Sequence, residues 1–307
     1  MNIVVIGAGA VGGYFGGKLA NAGIPVTFLV REKRYSQLKE RGLRIESIHG
    51  NFTVQPQLVL SAEEVENPDL VILSVKNYHL EEVNKEISTF IDRGAKVLPL
   101  LNGVRHLDKL ISTFGTEHIL GGICYIESTL NEHGDIIQTS PLQDIVFGPL
   151  DTMDEAFLKE VETLFLQSGV KVKLSFEIIT EMWSKYIFLA TLSGITAATR
   201  SSIGVAQMDP VTSSFLEDYV NELVTVAKAN EKKVPEDLLD RVMTRIKNVN
   251  LSMTSSMHRD LEKGLPIELE SIQGAILEMA EKHNIKTPCT RAIYALLHPF
   301  IKGDQGR

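Results

Sequence analysis

The stretch that most limits what this chain can become is its beginning, "NIVVIGAGAVGG". A β-branched run, Asn2–Gly7, passes straight into Gly7-x-Gly9-x-x-Gly12. Val and Ile in a short unbroken run favour a strand buried on both faces. Each glycine then meets a separate demand: a tight turn at Gly7, close approach of a ligand to the backbone at Gly9, and close helix–strand packing at Gly12. The helix that opens there leaves its first N–H groups, those of Ala10 and Val11 among them, without ladder partners at the positive end of its dipole. Such an end binds phosphate. Gly7, Gly9, Ala10, Val11 and Gly12 are therefore expected to cradle a dinucleotide pyrophosphate. The plainer alternative is a glycine-rich turn kept for packing.

The residues that follow support a nucleotide fold. "PVTFLV", "DLVILSV" (69–75) and "AKVLPLL" (95–101) read as further buried strands. Helical segments separate them, one closed by Gly23, one reading "EKRYSQLKERG", and one over roughly 79–91. Strands alternating with helices imply a mostly parallel, doubly wound sheet of the Rossmann type. "LRIESIHGNFTVQPQLVL" looks like an antiparallel excursion, and 119–147, with its Gly and Pro, like short strands and hairpins. A helix over "DEAFLKEVETLFLQSG" and a strand "VKVKL" complete this part. After Leu174 the strand signals stop and helical periodicity takes over. The expectation is an α/β Rossmann domain over 1–174 and an all-α domain over 175–307.

The end of the second strand bears on which dinucleotide. An Asp or Glu there binds a ribose 2′-OH, whereas a guanidinium suits a 2′-phosphate. "TFLVREKR" places Arg31 at that point, with Lys33 and Arg34 after it. This favours NADPH/NADP+ as the cofactor, although Glu32 is a carboxylate in reach of a 2′-OH. Lys76, in "SVKNYH" at the end of a parallel strand, is either a second cation for the adenosine phosphate or a surface lysine.

Charge excludes some partners. Lys and Arg total 31 against 39 Asp and Glu, a net charge of −8. A chain of that sign is a poor partner for nucleic acid or an anionic membrane. The two cysteines, Cys124 and Cys289, show neither a disulfide framework nor zinc spacing, and the histidines show no ligand spacing, so no metal is assigned. The apolar N-terminus lacks a basic n-region and is broken by glycines, unlike a signal peptide. A cytoplasmic protein with reduced thiols is expected.

The helical half raises a different question. "WSKYIFLATLSGITAATR" is apolar nearly all round, yet it holds Lys185 beside Trp183 and Tyr186. Burying a lysine is costly unless it is paired or used. On spacing alone Lys185 could snorkel to solvent or pair with Glu181 one turn earlier. Glu268 alone would be a helix-start glutamate, and "SSM" (255–257) a helix cap with a core methionine.

Taken together, these residues resemble the ketopantoate reductase (2-dehydropantoate 2-reductase) family nearly end to end. The resemblance rests on "GAGAVGGYFG", Arg31, "SVKNY", "LLNGV", "WSKYIF" and "SSMHRDLEKGLPIELE". It implies a C-terminal domain like that of 6-phosphogluconate dehydrogenase and reduction of ketopantoate to (R)-pantoate by NADPH, on the route to pantothenate and coenzyme A. It also implies roles: Lys185 as general acid, Glu268 as an assisting carboxylate, Ser256 at the substrate carboxylate, Asn102 near the nicotinamide and substrate, and Arg31 and Lys76 at the 2′-phosphate. Asp260 and Gly264 fit the same run. A homodimer is one assembly such a helical domain allows.

The chain departs from the family where asparagines typically follow the lysine by four and eight residues; here stand Leu189 and Ser193. Helical period places them on the face of Lys185, along the expected substrate wall. Gln273 and Glu270 also differ from the family's usual residues. Two readings of the same chemistry follow. One is ketopantoate reduction; the other is a D-2-hydroxy acid dehydrogenase for another bulky or branched 2-oxo acid. A non-catalytic NADP-binding sensor is the alternative of a different class.

Overall fold

The computed structural model describes residues 1–231 and 233–303. It divides into two compact units, one of 1–101 with 106–178, the other of 102–105 with 179 onward. The segment 102–105, which sequence patterning assigns to the α/β half, thus packs with the helices.

In the first unit, β1 (Ile3–Ile6), α1 (Ala10–Asn21), β2 (Val26–Leu29), α2 (Glu32–Arg41), β3 (Leu43–Ser47), β4 (Phe52–Val54), β5 (Gln57–Val59), β6 (Leu70–Leu73), α3 (Asn84–Asp92) and β7 (Lys96–Pro99) follow one another. One sheet, in the order β5-β2-β1-β6-β7, is parallel throughout. All four residues of β1, β2 and β6 are buried, which is why they read as apolar runs broken only by Thr27 of β2.

A second sheet is built on the hairpin of β8 (Leu120–Leu130) and β9 (Ile136–Pro149), which α4 (Arg105–Phe114) precedes. Along its other edge β9 pairs first with β3 and then with β10 (Lys171–Leu174), which follows α5 (Glu155–Gln167). Helix α1 lies between the sheets: a Cβ on Gly16 would come within 2.8 Å of Phe28 and Val5, and one on Gly17 within 2.6 Å of Ile45.

Three expectations are corrected here. The region 119–147 is one long hairpin rather than several short strands. Gly122 is not a turn signal but a contact: a Cβ there would sit 2.6 Å from the Pro99 carbonyl. Pro141 falls in the irregular stretch where Gln138 and Gln143 of β9 face Ser128 and Ile126, so it interrupts no regular ladder bond. The antiparallel excursion holds only for β3 and β4, since β5 returns to the parallel sheet. The helix expected over 79–91 begins as two 3₁₀ turns, Asn77–His79 and Glu81–Val83, before α3. Leu80, which joins the two turns, is buried.

The second unit is helical: α6 (Ile178–Thr199), α7 (Ile203–Met208), α8 (Pro210–Asn230), α9 (Leu238–Asn248), α10 (Ser256–Glu262), a π turn (Glu270–Gly274) running into α11 (Ala275–Lys282), and α12 (Pro288–Leu297). Helix α6 is apolar all round because neighbours cover it on most sides. Gly194 admits Tyr219 of α8, whose hydroxyl would lie 2.9 Å from an added Cβ. Glu222 of α8 accepts the backbone N–H groups of Cys289 (2.9 Å) and Thr290 (2.7 Å), closing the start of α12. No helix among the described residues is long and apolar enough to cross a membrane, and none of their His, Cys, Asp and Glu side chains form a group that could hold a metal.

Candidate active site

Three loops at the carboxyl ends of parallel strands carry the expected nucleotide residues. Gly7–Gly9 follows β1, Arg31 follows β2, and Lys76 lies just past β6. β1 stands between β2 and β6, so the chain reverses its direction of winding at β1, the place where such sheets bind ligands. The glycines differ in what they answer to. Gly7 has φ +97°, and its Cβ would meet the Ser74 carbonyl at 2.5 Å; a Cβ on Gly12 would meet the Gly7 carbonyl at 2.3 Å. Both are demanded by the fold. Gly9, at the N-cap of α1, has nothing within 4 Å of an added Cβ, and no side chain caps this helix. Its openness leaves the helix N-terminus bare, a cradle that a dinucleotide phosphate fits.

The basic residues after β2 separate. Arg34 turns inward: Nε donates to the Ala8 carbonyl (3.0 Å), and Nη1 donates to Gln37 Oε1 (2.6 Å) and to the Gly134 carbonyl (2.8 Å). It staples the glycine loop to the β8–β9 hairpin, and burial pulls its pKa down. Lys33 is exposed, and Arg31 pairs with Glu82 at 2.5 Å. Lys76 is half-buried.

In the helical unit α6 is the organising element. Lys185, in its second turn, is half-buried, and the neighbouring rings of Trp183 and Tyr186 are buried with their centroids 5.7 Å apart. Tyr186 donates its hydroxyl to the Ile272 carbonyl at 2.7 Å, tying the π turn to α6. A second bond, Gln273 Nε2 to the Ala190 carbonyl at 3.0 Å, ties it one turn further along. Glu268 stands at the mouth of that turn, only 7% exposed, and its carbonyl accepts the Ile272 N–H. At the far end of α6 Thr196 donates to Ser255 Oγ (3.2 Å), and that oxygen accepts the His258 N–H (3.0 Å) as the cap of α10. Ser256 is therefore held at the first position of α10. The segment 102–105 is fixed to the same unit: a Cβ on Gly103 would lie 2.9 Å from the Ser271 carbonyl, and Arg105 pairs with Glu278 at 2.8 Å. Asn102 sits in that anchored stretch. Lys185, Glu268, Ser256 and Asn102 thus share one scaffold.

One reading holds and one changes. Ser255 is the helix cap that "SSM" allows. Ser193 is 0% exposed and donates to its own helix at the Leu189 carbonyl (2.7 Å). Eight residues at about 100° each return a side chain some 80° off the starting face, enough to carry Ser193 from the Lys185 face into the core. Leu189 remains half-exposed. Residue reading missed Tyr186 and Gln273 as ties, Arg34 as a staple and Glu82 as the partner of Arg31. No spacing in the sequence marked the π turn.

Comparison with known proteins bears on this arrangement. Residues 3–152 match the ketopantoate reductase PanE/ApbA domain, and residues 177–300 the PanE/ApbA C-terminal domain. The chain belongs to the ketopantoate reductase family. As a member it is an oxidoreductase acting on a CH–OH group. An uncharacterized oxidoreductase of Bacillus subtilis, YkpB, is 36% identical over 98% of this chain and 99% of its own. The 2-dehydropantoate 2-reductase of Pyrococcus abyssi is 30% identical over 99% and 98%. Among solved structures, a ternary complex of D-mandelate dehydrogenase with NADH and anilino(oxo)acetate is 25% identical, covers 98% of both chains and superposes with a TM-score of 0.85.

Proposed function

We propose that this protein reduces 2-dehydropantoate (ketopantoate) to (R)-pantoate with NADPH, in the cytoplasm, as a step toward pantothenate and coenzyme A. The observation that supports the reading is that Lys185, Glu268, Ser256 and Asn102 all belong to the one helical unit, on α6 or on segments tied to it. The residues that would hold the cofactor are Gly7, Gly9, Ala10, Val11 and Gly12 at the pyrophosphate, Arg31 and Lys76 at the 2′-phosphate, and Asn102 near the nicotinamide. When bound, the reduced nicotinamide supplies the hydride that the ketone carbon takes up.

The chain's own residues handle charge and protons. As the ketone oxygen gains negative charge, the Lys185 ammonium donates a proton to it. Glu268 keeps the ammonium in place and accepts a hydrogen bond from a substrate hydroxyl. Ser256 donates to the substrate carboxylate, and Asn102 offers its amide to the reacting groups.

A second reading keeps the chemistry and changes the substrate. Leu189 puts an alkyl group where the family's amide would bind a polar atom, and a relative of this fold binds an aromatic 2-oxo acid derivative. A site without donors loses its preference for hydroxylated substrates. Following the absorbance of reduced nicotinamide with ketopantoate, 2-oxoisovalerate, 2-oxoisocaproate, phenylpyruvate, benzoylformate and pyruvate separates the two. The highest kcat/KM for ketopantoate with NADPH supports the first reading, and the highest for an apolar acid supports the second. Tight cofactor binding without turnover on any acid would make the protein a sensor.

A further inference from the structure

Arg31 is read above as the cation for a 2′-phosphate, yet its guanidinium already holds an anion. Its Nη2 meets Glu82 Oε2 at 2.5 Å, and the other oxygen, Oε1, meets His79 Nδ1 at 2.9 Å. The carboxylate is held at both oxygens, one by a residue after β2 and one by a residue of the 3₁₀ turn after β6. These two loops flank the glycine loop of β1. His79 first, then Arg31, keeps the Glu82 carboxyl below the usual carboxylate range, so it is an anion at neutral pH.

Stability does not account for the arrangement. The Arg31 and Glu82 side chains are 67% and 54% exposed, and ion pairs so open to water add little to a fold. What the pair does achieve is local. It orients a guanidinium that would otherwise sample many rotamers, and it places a carboxylate where a phosphate would have to come.

We propose that Glu82 is a built-in stand-in for the 2′-phosphate of the cofactor. It holds Arg31 in its binding direction, gives up the guanidinium when a 2′-phosphorylated nucleotide arrives, and so narrows the preference for NADPH over NADH. The proposal rests on the reading of Arg31 given above. His79 gives the displaced carboxylate somewhere to stay: Oε1 keeps its partner while Oε2 releases Arg31. No bond is made or broken; one ion pair is exchanged for another. A nucleotide ending in a 2′-OH has no charge with which to displace Glu82, and it binds with the pair intact.

The test is calorimetric binding of 2′,5′-ADP, 5′-AMP, NADPH and NADH to the whole protein and to Glu82→Gln, Arg31→Ala and the double variant. Glu82→Gln keeps the shape and removes the charge. It is expected to tighten 2′,5′-ADP and NADPH by about fivefold, the upper end for an exposed ion pair, with 5′-AMP and NADH unchanged. The gain should shrink as salt rises and vanish when Arg31 is already Ala. If Arg31→Ala weakens 2′,5′-ADP but Glu82→Gln leaves it unchanged or weaker, Glu82 is no stand-in and the inference is overturned. If Arg31→Ala weakens 2′,5′-ADP no more than 5′-AMP, the NADPH reading itself fails and takes the inference with it.

Discussion

Replacing Tyr186 by Phe removes one oxygen and tests whether the π turn is tied to α6 as described. Tyr186 is 1% exposed, and its hydroxyl is the donor that α6 offers the Ile272 carbonyl, 2.7 Å away. Burial, then the nearby Tyr219, pushes its pKa well above the ordinary tyrosine value, while Arg105 opposes the rise, so the hydroxyl stays protonated and able to donate. The phenylalanine ring fills the same space, so no cavity opens. What remains is a buried carbonyl deprived of that donor, at a cost of about 1–3 kcal/mol. Trp183, the only tryptophan, is 6% exposed and its ring centroid lies 5.7 Å from that of Tyr186, so its fluorescence reports on this unit. A loss of about 2 kcal/mol at a slope of about 2 kcal/mol per molar urea lowers the unfolding midpoint by about 1 M. Tyr219→Phe serves as the comparison. Its hydroxyl lies a longer 3.3 Å from the Ala190 carbonyl, which Gln273 also serves, so a smaller loss is expected. The reasoning fails if Tyr186→Phe costs under about 0.5 kcal/mol, below the worth of a typical hydrogen bond, or if the two variants lose equally.

Four other substitutions probe the site and its support. Lys185→Ala should lower kcat by about 10²–10⁴, the usual worth of a positioned general acid, with the urea midpoint little changed; near-native turnover on a confirmed substrate would remove Lys185 from the mechanism. Leu189→Asn, which restores an amide, should raise kcat/KM for ketopantoate relative to 2-oxoisovalerate by about tenfold or more, as an added hydrogen bond to a substrate hydroxyl would; an unchanged ratio would show that this side chain does not meet the distinguishing group. Gly9→Ala should leave the melting temperature as it is while weakening cofactor binding, because its Cβ meets only open space in the protein. Gly12→Ala should destabilise the first unit outright, since its Cβ would lie 2.3 Å from a carbonyl oxygen; equal melting temperatures for these two would contradict the division between them.

Much of the architecture was legible in short-range pattern. Buried parallel strands are mostly apolar, and β1, β2, β6 and β7 stand in such runs with only Thr27 and Lys96 as polar members. The Gly-x-Gly-x-x-Gly motif marked the strand–turn–helix at Gly7–Gly12 because steric demands act between near neighbours in the chain. Where contacts join distant segments, pattern failed. The glycines of 119–147 read together as turn signals, which holds for Gly134 but not for Gly122, because a single sequence does not show that Pro99 passes against Gly122. Pro141 read as a break, although the ladder skips around it. The 3₁₀ turns before α3 left no mark in the helical pattern that distinguishes them from α-helix.

The candidate site divides along the same line. Sequence alone determined the residue types: a lysine in an apolar helix, a glutamate before a helical run, serines at a cap, and an arginine after the second strand. It also determined, through the order and spacing of those motifs, the family to which the chain belongs. Tertiary structure decided what each side chain has left to offer. Arg34 was equal to Arg31 in sequence, yet one staples the glycine loop and the other faces Glu82. Ser193 lies only some 40° beyond Leu189 on a helical wheel, yet it is buried and bonded to its own helix while Leu189 is half-exposed. Side-chain identity is local, but availability is set by which donors and acceptors the rest of the chain has already claimed, and that is known only once distant segments meet.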